Sequence, residues 1–168
     1  RSGRGRMTGW DRLQRVTAPT VDALSLEAAK AHLKIEDDDE DSVVQAIIDA
    51  AIAEIDGPRG IGLCLLKQTW RLVLDRFCGP VTLPLGPNVA VTEVTYVDTA
   101  GAVQTLDGAA YQLADGLDPA ILTPVYGTAW PAARAERGAV RIKFTAGFGE
   151  AATDVPDDLV AALKLIVG

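Results

Sequence analysis

The chain has 168 residues, 48% hydrophobic and 23% charged, which builds one packed domain, or one domain with a sizeable insertion, and excludes an intrinsically disordered protein. With 16 Lys and Arg against 23 Asp and Glu, the formal net charge is −7. That argues against a reader of duplex DNA, because such proteins displace counterions with cationic surface.

The start of the chain runs against this balance. Arg1, Arg4, Arg6, Arg12 and Arg15 crowd it, opposed only by Asp11, so the body is more acidic than the total implies. "RSGRGR" ahead of Met7 is either a native segment able to touch phosphate or an added upstream extension. Trp10, in "MTGWDRLQRV", lies outside any periodic pattern. Tryptophan and arginine dominate interface hot spots, so Arg4, Arg6, Trp10 and Arg12 are the candidate partner contacts. The N-terminus lacks the apolar core of a secretory signal, and no apolar run in the chain approaches the roughly 18 residues of a membrane-spanning helix.

"LSLEAAKAHLKI" predicts a short helix capped by Ser25, with Glu27 in its first turn and Leu26, Ala29 and Leu33 on one stripe. Val43, Val44, Ile47, Ile48, Ala51, Ile52 and Ile55 recur at threes and fours and predict an amphipathic helix from about residue 40 to 56. The acidic run Glu36 to Asp41 lies just before that helix and in its first turn. It is expected to cap orphan N–H groups and to offset the helix dipole. A calcium loop would need spaced oxygens, a glycine at its turn and a closing glutamate; "DDDEDSVVQAII" has no glycine and an apolar second half. "DGPRGIG" breaks the helix, and "LCLLKQ" is expected to add one more helical turn.

The period then changes. "TWRLVLDRF" alternates as a strand, and "VTLPL" is a short strand. "VAVTEVTYVDTAGAVQTL" forms two strands about a "DTAG" turn. "YQLA", "AILTPVYG" and "AVRIKFTAGFG" supply the remaining strands, with Trp70 and Trp130 packing in the core or at the edge. "TDVPDDLVAALKLIVG" opens a last helix, with Thr153 or Asp154 as cap, Pro156 at its first position and Leu159, Ala162, Leu163 and Ile166 as its stripe. The chain stops inside this helix and is expected to continue. The fold class is α+β: a small helical bundle formed by N- and C-terminal helices with an inserted antiparallel β domain. The expected division is an arginine-rich arm (1–20), a helical part (21–68), the β insertion (69–148) and the closing helix (149–168).

Catalytic signals are sparse. His32, the single histidine, sits between Ala31 and Leu33 and reads as a helix-surface residue. There is no nucleophile elbow, Walker loop or dinucleotide fingerprint, and "TAGFGEAA" reads as a strand exit that needs glycine conformations. Cys64 and Cys78 read as reduced core residues of a cytosolic chain, a disulfide or redox pair being the competing reading. No metal or cofactor is expected. A hydrolase using a carboxylate pair stays open, although nothing singles out two acids.

Taken together, the "LxxAKxHL" helix, the acidic turn, the "QTW" strand entry, the "V.YVD..G" hairpin and "AGFG" before a "VP" helix start resemble the head–tail connector (adaptor) family of tailed phages. The likeness runs from about Leu24 to the end, and is greatest to the branch found in phage-like gene transfer agents. It implies a structural, non-enzymatic subunit that assembles in the bacterial cytoplasm into a virion or phage-like particle. The expected partners are further copies in a ring, commonly twelvefold, the capsid portal, and a tail or neck (stopper or terminator) protein. DNA would cross the ring without sequence-specific contacts, an acidic bore letting it slide, and no membrane is involved. A C-terminal segment that docks on the portal would lie past residue 168. The alternative is a soluble binding module that forms no ring.

Overall fold

The computed structural model describes residues 12–114 and 119–168. Among these residues, three α-helices and eight strands give an α+β fold, with strand β1 (Leu13–Thr17) first and helix α3 (Asp157–Val167) last.

Helix α1 (Leu26–Leu33) begins where Ser25 Oγ accepts the Ala28 N–H at 3.2 Å and ends at Lys34, which turns left-handed at φ 60°. Helix α2 (Asp41–Ile55) buries Val44, Ile48, Ala51 and Ile55. Helix α3 buries Leu163 and Val167. These faces meet in one apolar cluster with Ala29, Leu65 and Leu66, so the first and last helices pack together although residues 34–156 lie between them.

Strands β2 (Gln68–Leu74), β4 (Ala90–Val97), β5 (Val103–Thr105) and β8 (Val140–Ala146) join β1 in an antiparallel sheet of order β1-β2-β8-β4-β5. Strands β3 (Val81–Leu83), β6 (Tyr111–Ala114) and β7 (Ala120–Pro124) form a second sheet of order β3-β7-β6. Trp70, Leu72, Ile142 and Phe144 of the larger sheet share a core with Leu83 and Leu122 of the smaller. The chain enters at Gln68 and leaves at Ala146, and these two residues face each other across the β2–β8 ladder. The excursion therefore starts and ends at one point beside the helices. Gly147 makes the exit: its φ is +136°, and a Cβ there would strike the Leu66 carbonyl.

Asp56 ties the two cores. It follows α2 directly, and its carboxylate accepts the Leu65 N–H at 2.9 Å and the Gln68 amide at 2.9 and 3.0 Å. Gln68, only 2% exposed, is the one buried polar side chain among the described residues.

Several expectations change. "LCLLKQ" is not helical; the 3₁₀ turn falls earlier, at Gly57–Arg59. The Cys64 N–H donates to Gly86 O and the Leu65 N–H to Asp56, which leaves no helical ladder to propagate. Residues 13–17, inside the arginine-rich stretch, form the edge strand β1, because Leu13 and Trp70 supply apolar contacts the composition masks. Glu40 occupies the N-cap of α2 with no side-chain hydrogen bond; the Lys30 ammonium instead gathers Asp38 and Asp41, each at 2.6 Å. Pro156 sits at the N-cap of α3, one residue before its expected place.

Cys64 is buried, as expected, but Cys78 is exposed in the turn after β2. Burial, reinforced by the charge of Asp56, pushes the Cys64 thiol up to about 12. The Trp70 indole N–H, buried without a full hydrogen bond, offsets this only in part. One thiol per native chain should therefore react promptly with a disulfide reagent, and the second only on unfolding. Two fast thiols would show that Cys64 is accessible.

Candidate functional site

The side chains left uncovered by these two cores define the surfaces available for contact. On α2, Val43, Ile47 and Ala50 form a second stripe at spacings of four and three beside the buried one, and all three are exposed, Val43 at 58%. On α3 the expected stripe residue Ile166 faces outward with Leu165, which is 78% exposed, while Val167 takes the core position. From Leu159 to Val167, Lys164 is the only polar residue. A helix apolar nearly all round offers a second face suited to a partner.

Cations gather on one part of the remaining surface and acids on another, with Glu93 the exception beside Lys143. On the outward face of the larger sheet, Arg71 lies directly opposite Lys143, and Arg141 opposite Val73. Lys30 uses Asp38 and Asp41, whereas the exposed Glu36, Asp37, Asp39 and Glu40 form no ion pair among the described residues. The Lys30 contact holds the Asp38 carboxyl below its usual range and raises the ammonium, so the acidic turn is pinned rather than free.

Of the candidate contact residues, Arg4, Arg6 and Trp10 lie outside the described residues. Arg12 is paired within the chain: its guanidinium meets Asp75 at 2.8 Å, fastening β1 beside β2. That hydrogen bond, followed by one from the Gly138 N–H at 3.0 Å, holds Asp75 down to about 2. Because the folded value is depressed, this contribution is complete above the unfolded carboxylate value of about 3.9 and is lost as pH falls towards 2. Asp75→Asn should lose stability near neutral pH and give a shallower decline of Tm between about pH 4 and 2. An unchanged acid limb would show that Asp75 is not the group responsible.

A cleft of about 820 Å³ lies between β1 and the end of α2, lined by Leu13, Arg15, Ile52, Pro58, Leu65 and Trp70 among others. The Arg15 guanidinium stands 5.9 Å from the Trp70 ring centroid in this wall. His32 is exposed on α1, and among the described residues no group of three His, Cys, Asp or Glu is placed to hold a metal ion. No helix there is long and apolar enough to cross a membrane.

The apolar flanks of α2 and α3 and the charged side chains of the larger sheet are thus the surfaces free for contact among the described residues. Residues 23–101 carry the domain described as "Phage gp6-like head-tail connector protein". The chain is also similar to a subunit in the structure "Neck of empty GTA particle computed with C6 symmetry", with 29% identity, a TM-score of 0.77, and coverage of 92% of this chain and 80% of that one. A second similarity is to a chain of "Virion of native gene transfer agent (GTA) particle", at 29% identity and TM-score 0.74 over 92% and 81% of the two chains. A third is to "Neck of native GTA particle computed with C12 symmetry", at 27% identity and TM-score 0.69 over 92% and 80%. No curated protein matches. Residues 23–101 thus match a head–tail connector domain, and 92% of the chain is similar in sequence and fold to chains of gene transfer agent neck structures.

The helix stripes and strand periods were open to sequence reasoning. Alternation in "TWRLVLDRF" and "AVRIKFTAGFG" sets Arg71, Arg141 and Lys143 on the face opposite the apolar residues; that Arg71 stands across from Lys143 comes only from the register of β2 and β8.

Proposed function

We propose that this chain is a ring-forming connector at the neck of a phage-like particle. Copies, twelve on this reading, stand between the capsid portal and a tail or neck component, and DNA passes through the central channel. The observation that carries the reading is the 92% coverage of this chain by a neck subunit at TM-score 0.77. A single architecture shared over nearly the whole chain, with 29% identity, supports the same placement in the particle. The uncovered flanks of α2 and α3 fit the heterologous contacts of a closed ring, in which one face of a subunit meets a different face of its neighbour. The helical part supplies the ring body, and the β excursion, anchored at Gln68 and Ala146, projects from it. Arg4, Arg6, Trp10 and Arg12 are proposed to contact a neighbouring neck component, Arg12 while keeping its pairing to Asp75.

Native mass measurement of the chain with and without purified portal tests this. A discrete ring recruited to portal, and a copy number in isolated particles matching portal, is the expected result. A monomer under both conditions, absent from particle necks, would favour the soluble binding module.

A further inference from the structure

We infer that the outward face of the five-stranded sheet is an electrostatic socket for the acidic turn of a second copy of this chain. The inference deepens the ring reading and rests on it. Three facts lead there. First, Arg71 and Lys143 are directly opposite across the β2–β8 ladder, and Arg141 lies two residues from Lys143 on the same face. Like charges placed opposite one another oppose pairing of their strands unless an anion lies between them. Among the described residues no acid pairs with them; Glu93, opposite Lys143 across β4, is not within ion-pair distance.

Second, an anion of fitting size is present elsewhere on the same chain. Glu36, Asp37, Asp39 and Glu40 project from a turn that Lys30 fixes through Asp38 and Asp41. A turn held in one shape loses little freedom on docking. Third, the two charged regions sit on separate parts of the fold, the turn between α1 and α2 and the cations on β2 and β8. Each copy can therefore offer its turn to one neighbour and its sheet to the other, the arrangement a closed ring requires.

Duplex DNA is the rival occupant for a cationic face. It wants a broad run of cations, whereas here three are interleaved with Val73, Val97 and the exposed Val103, and with Glu93. A small apolar-and-charged patch suits a protein contact.

Charge reversal tests the pairing. Arg71→Glu with Lys143→Glu makes the sheet variant, and Asp37→Lys with Asp39→Lys the loop variant. Circular dichroism melting confirms that both remain folded. Ring assembly, read by native mass spectrometry with portal present, should weaken at least about tenfold in each variant alone. Mixing the two, or combining all four changes in one chain, should restore it, because opposite charges again meet. Wild-type assembly should also weaken as salt is raised, and zero-length carbodiimide coupling should join Lys143 of one copy to Asp37 or Asp39 of another.

Wild-type rings that reversal leaves intact would overturn the pairing while leaving the ring reading in place. Intact rings that lose affinity for a short duplex on reversal of the sheet would overturn it in favour of DNA phosphate. Wild-type chains that never form a ring, with or without portal, would remove both readings.

Discussion

Asp56→Ala is expected to lower the unfolding free energy by about 3 kcal/mol, although Asp56 lies at a helix end and is only half buried. The loss has two parts. The Leu65 N–H loses its acceptor, and the buried Gln68 amide loses the carboxylate that holds it. Hydrogen bonds to a charged group contribute roughly 1.5–3 kcal/mol each, and a buried donor left alone costs its desolvation as well. Gln68 Oε1 already has no partner, so nothing local can compensate. Adding Gln68→Leu should recover a good part of the deficit, since removing both members of a buried polar pair costs far less than removing one. Chemical denaturation of the single and double variants checks this; equal loss in both would show that Gln68 does not depend on Asp56. The effect bears on function because the same three residues join the helical core to the sheet at the point where the excursion begins.

A second large effect is expected on assembly rather than on folding. Ile47→Asp combined with Leu165→Asp changes two exposed side chains, so the isolated subunit should keep its stability within roughly 0.5 kcal/mol per site. If the flanks of α2 and α3 are ring contacts, each substitution places a charge where apolar surface is to be covered. A loss of about 2 kcal/mol per contact weakens association roughly thirtyfold. A ring repeats that loss at every junction, so the variant should remain monomeric where the parent assembles. Sedimentation velocity with portal present reads the outcome directly. Assembly at the parental concentration would move the ring contact away from these helices.

The two experiments separate properties that share one stretch of chain. Residues 43–55 supply both a buried stripe (Val44, Ile48, Ala51, Ile55) and an uncovered one (Val43, Ile47, Ala50). The seven apolar positions in the sequence pattern, which include the half-buried Ile52 and not Ala50, point to one broad hydrophobic face. The tertiary structure divides it, because α1 and α3 are wide enough to cover only part of it.

Much was legible from local chemistry. Ser25 caps α1, Asp98 accepts the N–H groups of Ala100 and Ala102 in the "DTAG" turn, and Gly147 leaves β8 with a backbone only glycine adopts freely. The Ser25 cap and the Asp98 turn are decided within a few residues of themselves, as are the helix and strand periods, so the sequence by itself determined most of the elements, their order and the α+β class. It also carried the connector likeness, which is a matter of such pieces in sequence. What only the tertiary structure decided involves partners distant along the chain. Leu65 turns from helix because Asp56 and Gly86 take the N–H groups around it. Lys30 draws Asp38 and Asp41 away from capping, β1 emerges from an arginine-rich stretch because β2 offers it a ladder, and Arg71 meets Lys143 only when β2 and β8 pair. Alternation along a strand tells which residues share a face, but not which residue of another strand stands opposite; that register is set by the packing of the whole sheet.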